Sequence, residues 1–161
     1  MTVISSKNDA ATLTLVFVAE FDATPERVWE LWEDPRQLEK WWGPPVYPAK
    51  FVRHDFEVGG ESRYVMTGPE GQIAAGWWRI ESLDRPKALT FANGLAGEDS
   101  EPLADVPPMA ASMTLEDFRG GTRMTVASRF VDTEQMEKFL AMGMEEGMRQ
   151  ALGQIDALLA H

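Results

Sequence analysis

The chain has no cysteine, and only two of its 161 residues are histidine. The first absence excludes a disulfide framework, a thiolate metal site and a cysteine nucleophile. The second leaves a Ser-His-acid triad or a multi-histidine metal centre with one credible imidazole, His54, because His161 is the last residue. Neither metal nor cofactor is therefore expected. Positive charge is scarce as well: 15 Lys and Arg against 26 Asp and Glu give a formal net charge of -11. That balance repels nucleic acid and anionic lipid, and no compact Lys/Arg cluster overrides it, so nucleic acid and membrane are not expected partners. Long hydrophobic runs are missing too. No window reaches the length of a transmembrane helix, and the first residues lack the basic start and apolar run of a secretory signal. A cytoplasmic protein is expected, its acidity serving solubility.

What is present is enough for one domain, 1–161, with 1–10 expected as a flexible N-terminal segment. The run 13–21 is apolar and β-branched and predicts a strand. Thr24-Pro25 and Asp34-Pro35 then write two helix starts in quick succession, each a capping side chain followed by a proline at the first helical position. Trp41-Trp42-Gly43-Pro44 ends the second helix. Strands are predicted over 49–56, 62–67, 72–83 and 88–93. Two more carry Met113 and Leu115, then Met124, Val126 and Phe130. Gly68-Pro69-Glu70-Gly71 and Gly120-Gly121 are hairpin signals. The total is about seven strands in an antiparallel sheet. The segment 94–108, rich in Gly, Pro and acids, is a loop long enough to be a candidate lid.

From Asp132 the period changes to three and four. Met136, Phe139, Leu140, Gly143, Met144, Gly147, Met148, Ala151, Leu152, Ile155 and Leu159 form one apolar stripe, predicting a single helix over 134–160. At 1.5 Å per residue it would be roughly 40 Å long and lie across the whole sheet. Gly143 and Gly147 each cost about 1 kcal/mol against alanine inside a helix, which points to close packing or to space for a ligand.

The order strand, two short helices, strands in hairpins and a long terminal helix is the helix-grip arrangement, an α+β fold. With it, the segments Phe21 to Trp29, Asp34-Pro35 to Pro44, Asp55 to Gly60, Gly68 to Gly71 and Glu146-Gly147-Met148 make the chain resemble the START-like, Bet v 1-like (SRPBCC) superfamily. Within it, the branch is that related to the C-terminal domain of the activator of Hsp90 ATPase. The branch pattern often has a basic residue where this chain has Glu57 and a tryptophan where it has Met148. The chain starts close to its first strand, so no counterpart of the activator's N-terminal Hsp90-binding domain is expected and Hsp90 activation is not carried over.

His54 in Val52-Arg53-His54-Asp55 reads as a partly exposed strand histidine beside a carboxylate. Glu116-Asp117 and Glu145-Glu146 read as solvated faces. A curved sheet gripping a helix does not close on it completely, so large flexible side chains on the inner faces line a space. The expected lining is Tyr64, Met66, Trp78, Phe91, Met113, Phe139 and Gly143, and the expected partner is a small apolar or amphipathic ligand, with a homodimer compatible. Trp41-Trp42 is expected to plug the helix pair against the sheet with at least one of its rings. The alternatives are a cavity-based enzyme of the cyclase or hydrolase type, using His54, Tyr64 or an acid of the loop, and a stress or regulatory interaction partner.

Overall fold

In the computed structural model, which describes residues 3–160, eight strands form one antiparallel sheet in the order β1-β2-β8-β7-β6-β5-β4-β3. They are β1 Val3–Asp9, β2 Thr14–Phe21, β3 Ala49–His54, β4 Glu61–Thr67, β5 Ile73–Asp84, β6 Ala88–Ala96, β7 Met109–Phe118 and β8 Gly121–Arg129. Hairpins join neighbours everywhere except between β2 and β3. There the helices α1, Pro25–Glu33, and α2, Pro35–Leu38, carry the chain from one side of the sheet to its far edge. Both starts behave as their residues dictate: Thr24 Oγ1 accepts from Arg27 N, and Asp34 Oδ1 accepts from Arg36 N. Register shifts between Phe51 and Arg53 and between Ile80 and Ser82 bend the β3–β5 side.

The strand beyond the expected seven is β1, so most of the segment expected to be flexible is ordered. It pairs with β2 along its whole length, from Val3↔Glu20 to Asp9↔Thr14. The first two residues of that segment, and His161, lie outside the described residues.

The terminal segment is corrected as well. In place of one helix over 134–160 there are three pieces: α3 Thr133–Ala141, α4 Met144–Leu152 and α5 Ile155–Leu159. The break after α3 has a clear cause. Gly143 takes φ +87°, the left-handed region open to glycine, and no regular helix passes through it. At Gly153 the backbone stays right-handed (φ -63°, ψ -16°), so the second interruption is a loosening of the turn and not a change of direction. The helix-grip plan survives because all three pieces keep their apolar stripe on the sheet, with Phe139, Leu152 and Ile155 inside one continuous core.

The centre of that core is aromatic. Trp32 meets Trp41 at 4.8 Å between ring centroids, and Trp78 meets Phe91 at 4.3 Å. Arg27 Nη2 donates to Leu158 O, and Gln154 Nε2 donates to Gly43 O at 2.7 Å, so α1 and the Trp41-Trp42-Gly43 segment are tied to the terminal helices.

Candidate functional site

Between the sheet and the α3–α4 junction lies a cavity of about 230 Å³. Its floor comes from alternate residues of two strands. Tyr64 and Met66 of β4 point inward, and Asn93 and Leu95 continue the inward face that β6 begins with Leu89 and Phe91. The Tyr64 ring lies against β5 because its register partner there is Gly76, where any Cβ would overlap the phenol ring and hydroxyl. Asn93 Nδ2 donates to Tyr64 Oη and to Trp77 O, each at 3.2 Å. Trp42 stands edge-on to Tyr64, 5.8 Å between centroids, and closes that end. Burial pushes the Tyr64 phenol above its ordinary pKa, and the N–H groups of Asn93 and Trp42 pull it only partly back, so it is neutral at physiological pH.

The opposite wall is soft. Met142, Met144 and Met148 reach it from the α3–α4 junction and from α4, Met109 from the start of β7, and Met66 from the floor. Unbranched thioethers re-pack around occupants of different shape. Gly147 leaves room among them: a Cβ there has nothing within 4 Å. Met142, 63% exposed, marks the mouth.

A family model described as Activator of Hsp90 ATPase homolog 1-like protein matches residues 22–160. The chain belongs to that family. This helix-grip fold is a ligand-binding type of domain. Among solved structures, this family member is similar to protein Ms6760 from Mycobacterium smegmatis, with 43% identity over 99% of this chain and 97% of that one and a TM-score of 0.91. A protein from Arthrobacter aurescens, solved by solution NMR, shows 50% identity over 99% and 92% at a TM-score of 0.93. The AHSA1 protein from Silicibacter pomeroyi shows 25% identity over 91% and 97% at 0.73. No curated protein matches.

In this member of the family the cavity takes four of the seven residues that sequence pattern assigned to it, Tyr64, Met66, Phe139 and Gly143. Trp78, Phe91 and Met113 face the same way but are 0%, 1% and 0% exposed, packed into the aromatic core beyond the cavity's end. Alternation alone does not reveal that difference in depth. Asn93 went unnoticed, though its signal is plain: it is a polar residue on the inward period of β6. Met144, Gly147 and Met148 were on the helical stripe, and Met148 falls on the wall at the position where the branch pattern often has tryptophan. Of the tryptophan pair, Trp41 is the plug, its Nε1 donating to Leu31 O at 2.9 Å, while Trp42 serves both core and cavity.

His54 is a half-buried residue at the end of β3 beside Asp55, as expected. A carbonyl only accepts, so its Nε2 carries the proton donated to Trp32 O at 2.9 Å, and its Nδ1 accepts from Ser62 Oγ at 2.7 Å. Burial among Phe51, Phe56 and Trp78 lowers its pKa, against the pull of the Trp32 carbonyl and of Asp55 and Asp34. Both ring nitrogens are used within the fold. The segment expected as a lid begins as the end of β6, up to Ala96, and the rest is held at two points, Arg63 Nη1 donating to Ser100 O and Gln135 Nε2 to Pro107 O, each at 2.6 Å. Its residues Asp105 to Pro107 line a separate cavity of about 210 Å³ beside α3. Among the described residues no group of three or more His, Asp or Glu could hold a metal ion, and no helix is long and apolar enough to cross a membrane.

Proposed function

We propose that this protein binds a small apolar or amphipathic molecule in the cavity between β4, β6, the start of β7 and the α3–α4 junction. The observation that supports it most is the make-up of the wall: methionines and aromatics on every side, and one polar pair, Tyr64 and Asn93, at one end. That is the composition of a small-molecule site, apolar with a few placed polar groups. An enzyme reading needs a proton-transfer group. His54 is saturated by Trp32 and Ser62, and Tyr64, the one titratable side chain of the wall, is held neutral, which favours binding over catalysis.

The test is titration with the neutral apolar dye N-phenyl-1-naphthylamine, alongside native mass spectrometry of freshly purified protein. Saturable binding with a change in tryptophan emission is expected. Gly147→Leu fills open space without backbone strain, so it should weaken dye binding about tenfold or more while circular dichroism stays unchanged. Absence of saturable dye binding together with no co-purified molecule would overturn the proposal.

A further inference from the structure

The polar end of the cavity says more about the occupant. Tyr64 Oη accepts the Asn93 amide N–H, and the Trp42 ring stands edge-on to the phenol with its own indole N–H unpaired. Both neighbours are donors, so neither takes the phenolic proton. The Asn93 nitrogen also donates to Trp77 O, and because a carbonyl only accepts, this orients the carboxamide with Oδ1 turned away. Among the described residues Oδ1 has no hydrogen-bond partner. The Tyr64 hydroxyl, on a phenol 6% exposed, therefore keeps its proton and Asn93 Oδ1 its lone pairs at one end of the cavity, with the unpaired Trp42 indole N–H on the same wall.

We propose that the occupant is a neutral molecule with a single hydroxyl at one end of an apolar body, the hydroxyl oxygen accepting from Tyr64 and its proton going to Asn93 Oδ1. This rests on the binding function proposed above. Asn93 Nδ2 lies 3.2 Å from Tyr64 Oη and both residues line the cavity, so the phenol and the carboxamide meet the occupant at the same end. A hydroxyl needs one donor and one acceptor and finds both, so neither its oxygen nor its proton is left unpaired. A carboxylate or an ammonium finds no countercharge on the wall, and burying an unpaired charge is costly. Gly76 acts as a positioning residue: it lets the phenol lie flat so that its hydroxyl stands beside Asn93.

The experiment is calorimetric titration of the whole protein with four probes of one length: 1-octanol, 1-chlorooctane, octanoate and octylammonium. Octanol should bind about tenfold more tightly than each of the others. Tyr64→Phe, which removes one oxygen, should bring octanol to within about twofold of 1-chlorooctane and leave chlorooctane itself unchanged. Equal binding of octanol and chlorooctane to the wild type overturns hydroxyl recognition while the binding function stands. Preference for octanoate or octylammonium overturns the neutral class. Failure of all four probes together with the naphthylamine dye overturns both readings. Should Tyr64→Phe fail to fold, the wild-type probe ratios decide alone.

Discussion

Gly143 and Gly147 lie four residues apart on one apolar stripe, and the physics of the two positions is opposite. At Gly143 the backbone is left-handed, a conformation that costs any residue with a Cβ about 1–2 kcal/mol. At Gly147 the backbone is helical and the Cβ position is open. Gly147→Ala should therefore stabilise the protein by about 0.5–1 kcal/mol through helix propensity, and Gly143→Ala should destabilise it by about 1–2 kcal/mol. Urea denaturation of the two variants beside the parent reads both signs. A neutral Gly143→Ala would mean that the break between α3 and α4 does not depend on the left-handed turn. Filling the cavity from position 143 is accordingly no test of binding, since backbone strain destabilises that variant whatever the space holds. Nothing local in the sequence separates these two glycines. The stripe passes through both, and only the docking of α3 and α4 on different parts of the sheet makes one of them a joint.

At the scale of elements, legibility follows how local the cause is. The starts of α1 and α2 were readable because cap and proline sit next to the turn they specify, and the β4–β5 and β7–β8 hairpins because glycines mark them. The strand β1 was not readable, because Val3-Ile4-Ser5-Ser6-Lys7-Asn8-Asp9 carries little strand signal of its own. Its order comes from distant partners. Ser6 Oγ donates to Glu145 Oε2 at 2.6 Å and accepts from Arg149 Nη2, Asn8 Nδ2 donates to Glu145 Oε1 at 3.0 Å, and Arg149 Nη1 donates to Ile4 O at 3.3 Å. Glu145, expected on a solvated face, is the hub of this latch between β1 and α4. The Ser6 hydroxyl is the main reason its carboxyl is held below the ordinary pKa. Ser6→Ala should therefore return the Glu145 pKa toward its ordinary value. It should also speed hydrogen exchange in β1 and in α4 together, at a cost of about 1 kcal/mol. Faster exchange confined to β1 would show that α4 is held by packing and not by the latch.

At the scale of the molecule, the antiparallel hairpin sheet, the helix pair before β3 and the inward faces followed from period and punctuation, while the strand order and the division of the inward face into cavity and solid core did not. Trp78 and Tyr64 occupy the same face, yet only the sites where the terminal helices diverge from the sheet leave space, and that depends on all the elements at once. His54 is another product of the assembled fold, joining the α1 carbonyl of Trp32 to Ser62 of β4 through a half-buried neutral ring. Its folded pKa lies below the ordinary value of about 6.5, so between those two values the unfolded chain binds a proton that the native one does not. Stability is then greatest above about pH 6.5 and falls as pH drops from there through the folded pKa. The carboxyls of Asp34, Glu61 and Glu145, also lowered, hold their contribution until pH falls below the ordinary carboxylate range. Chemical denaturation from pH 8 to pH 3 should thus show two separate declines, the first ascribable to His54 and the second to the acids. His54→Gln keeps a donor for Trp32 and an acceptor for Ser62 but does not titrate, so it should abolish the first decline and leave the second. A first decline that persists in His54→Gln would assign the neutral-pH sensitivity of this fold to another group and remove the histidine as the clasp between its helices and its sheet.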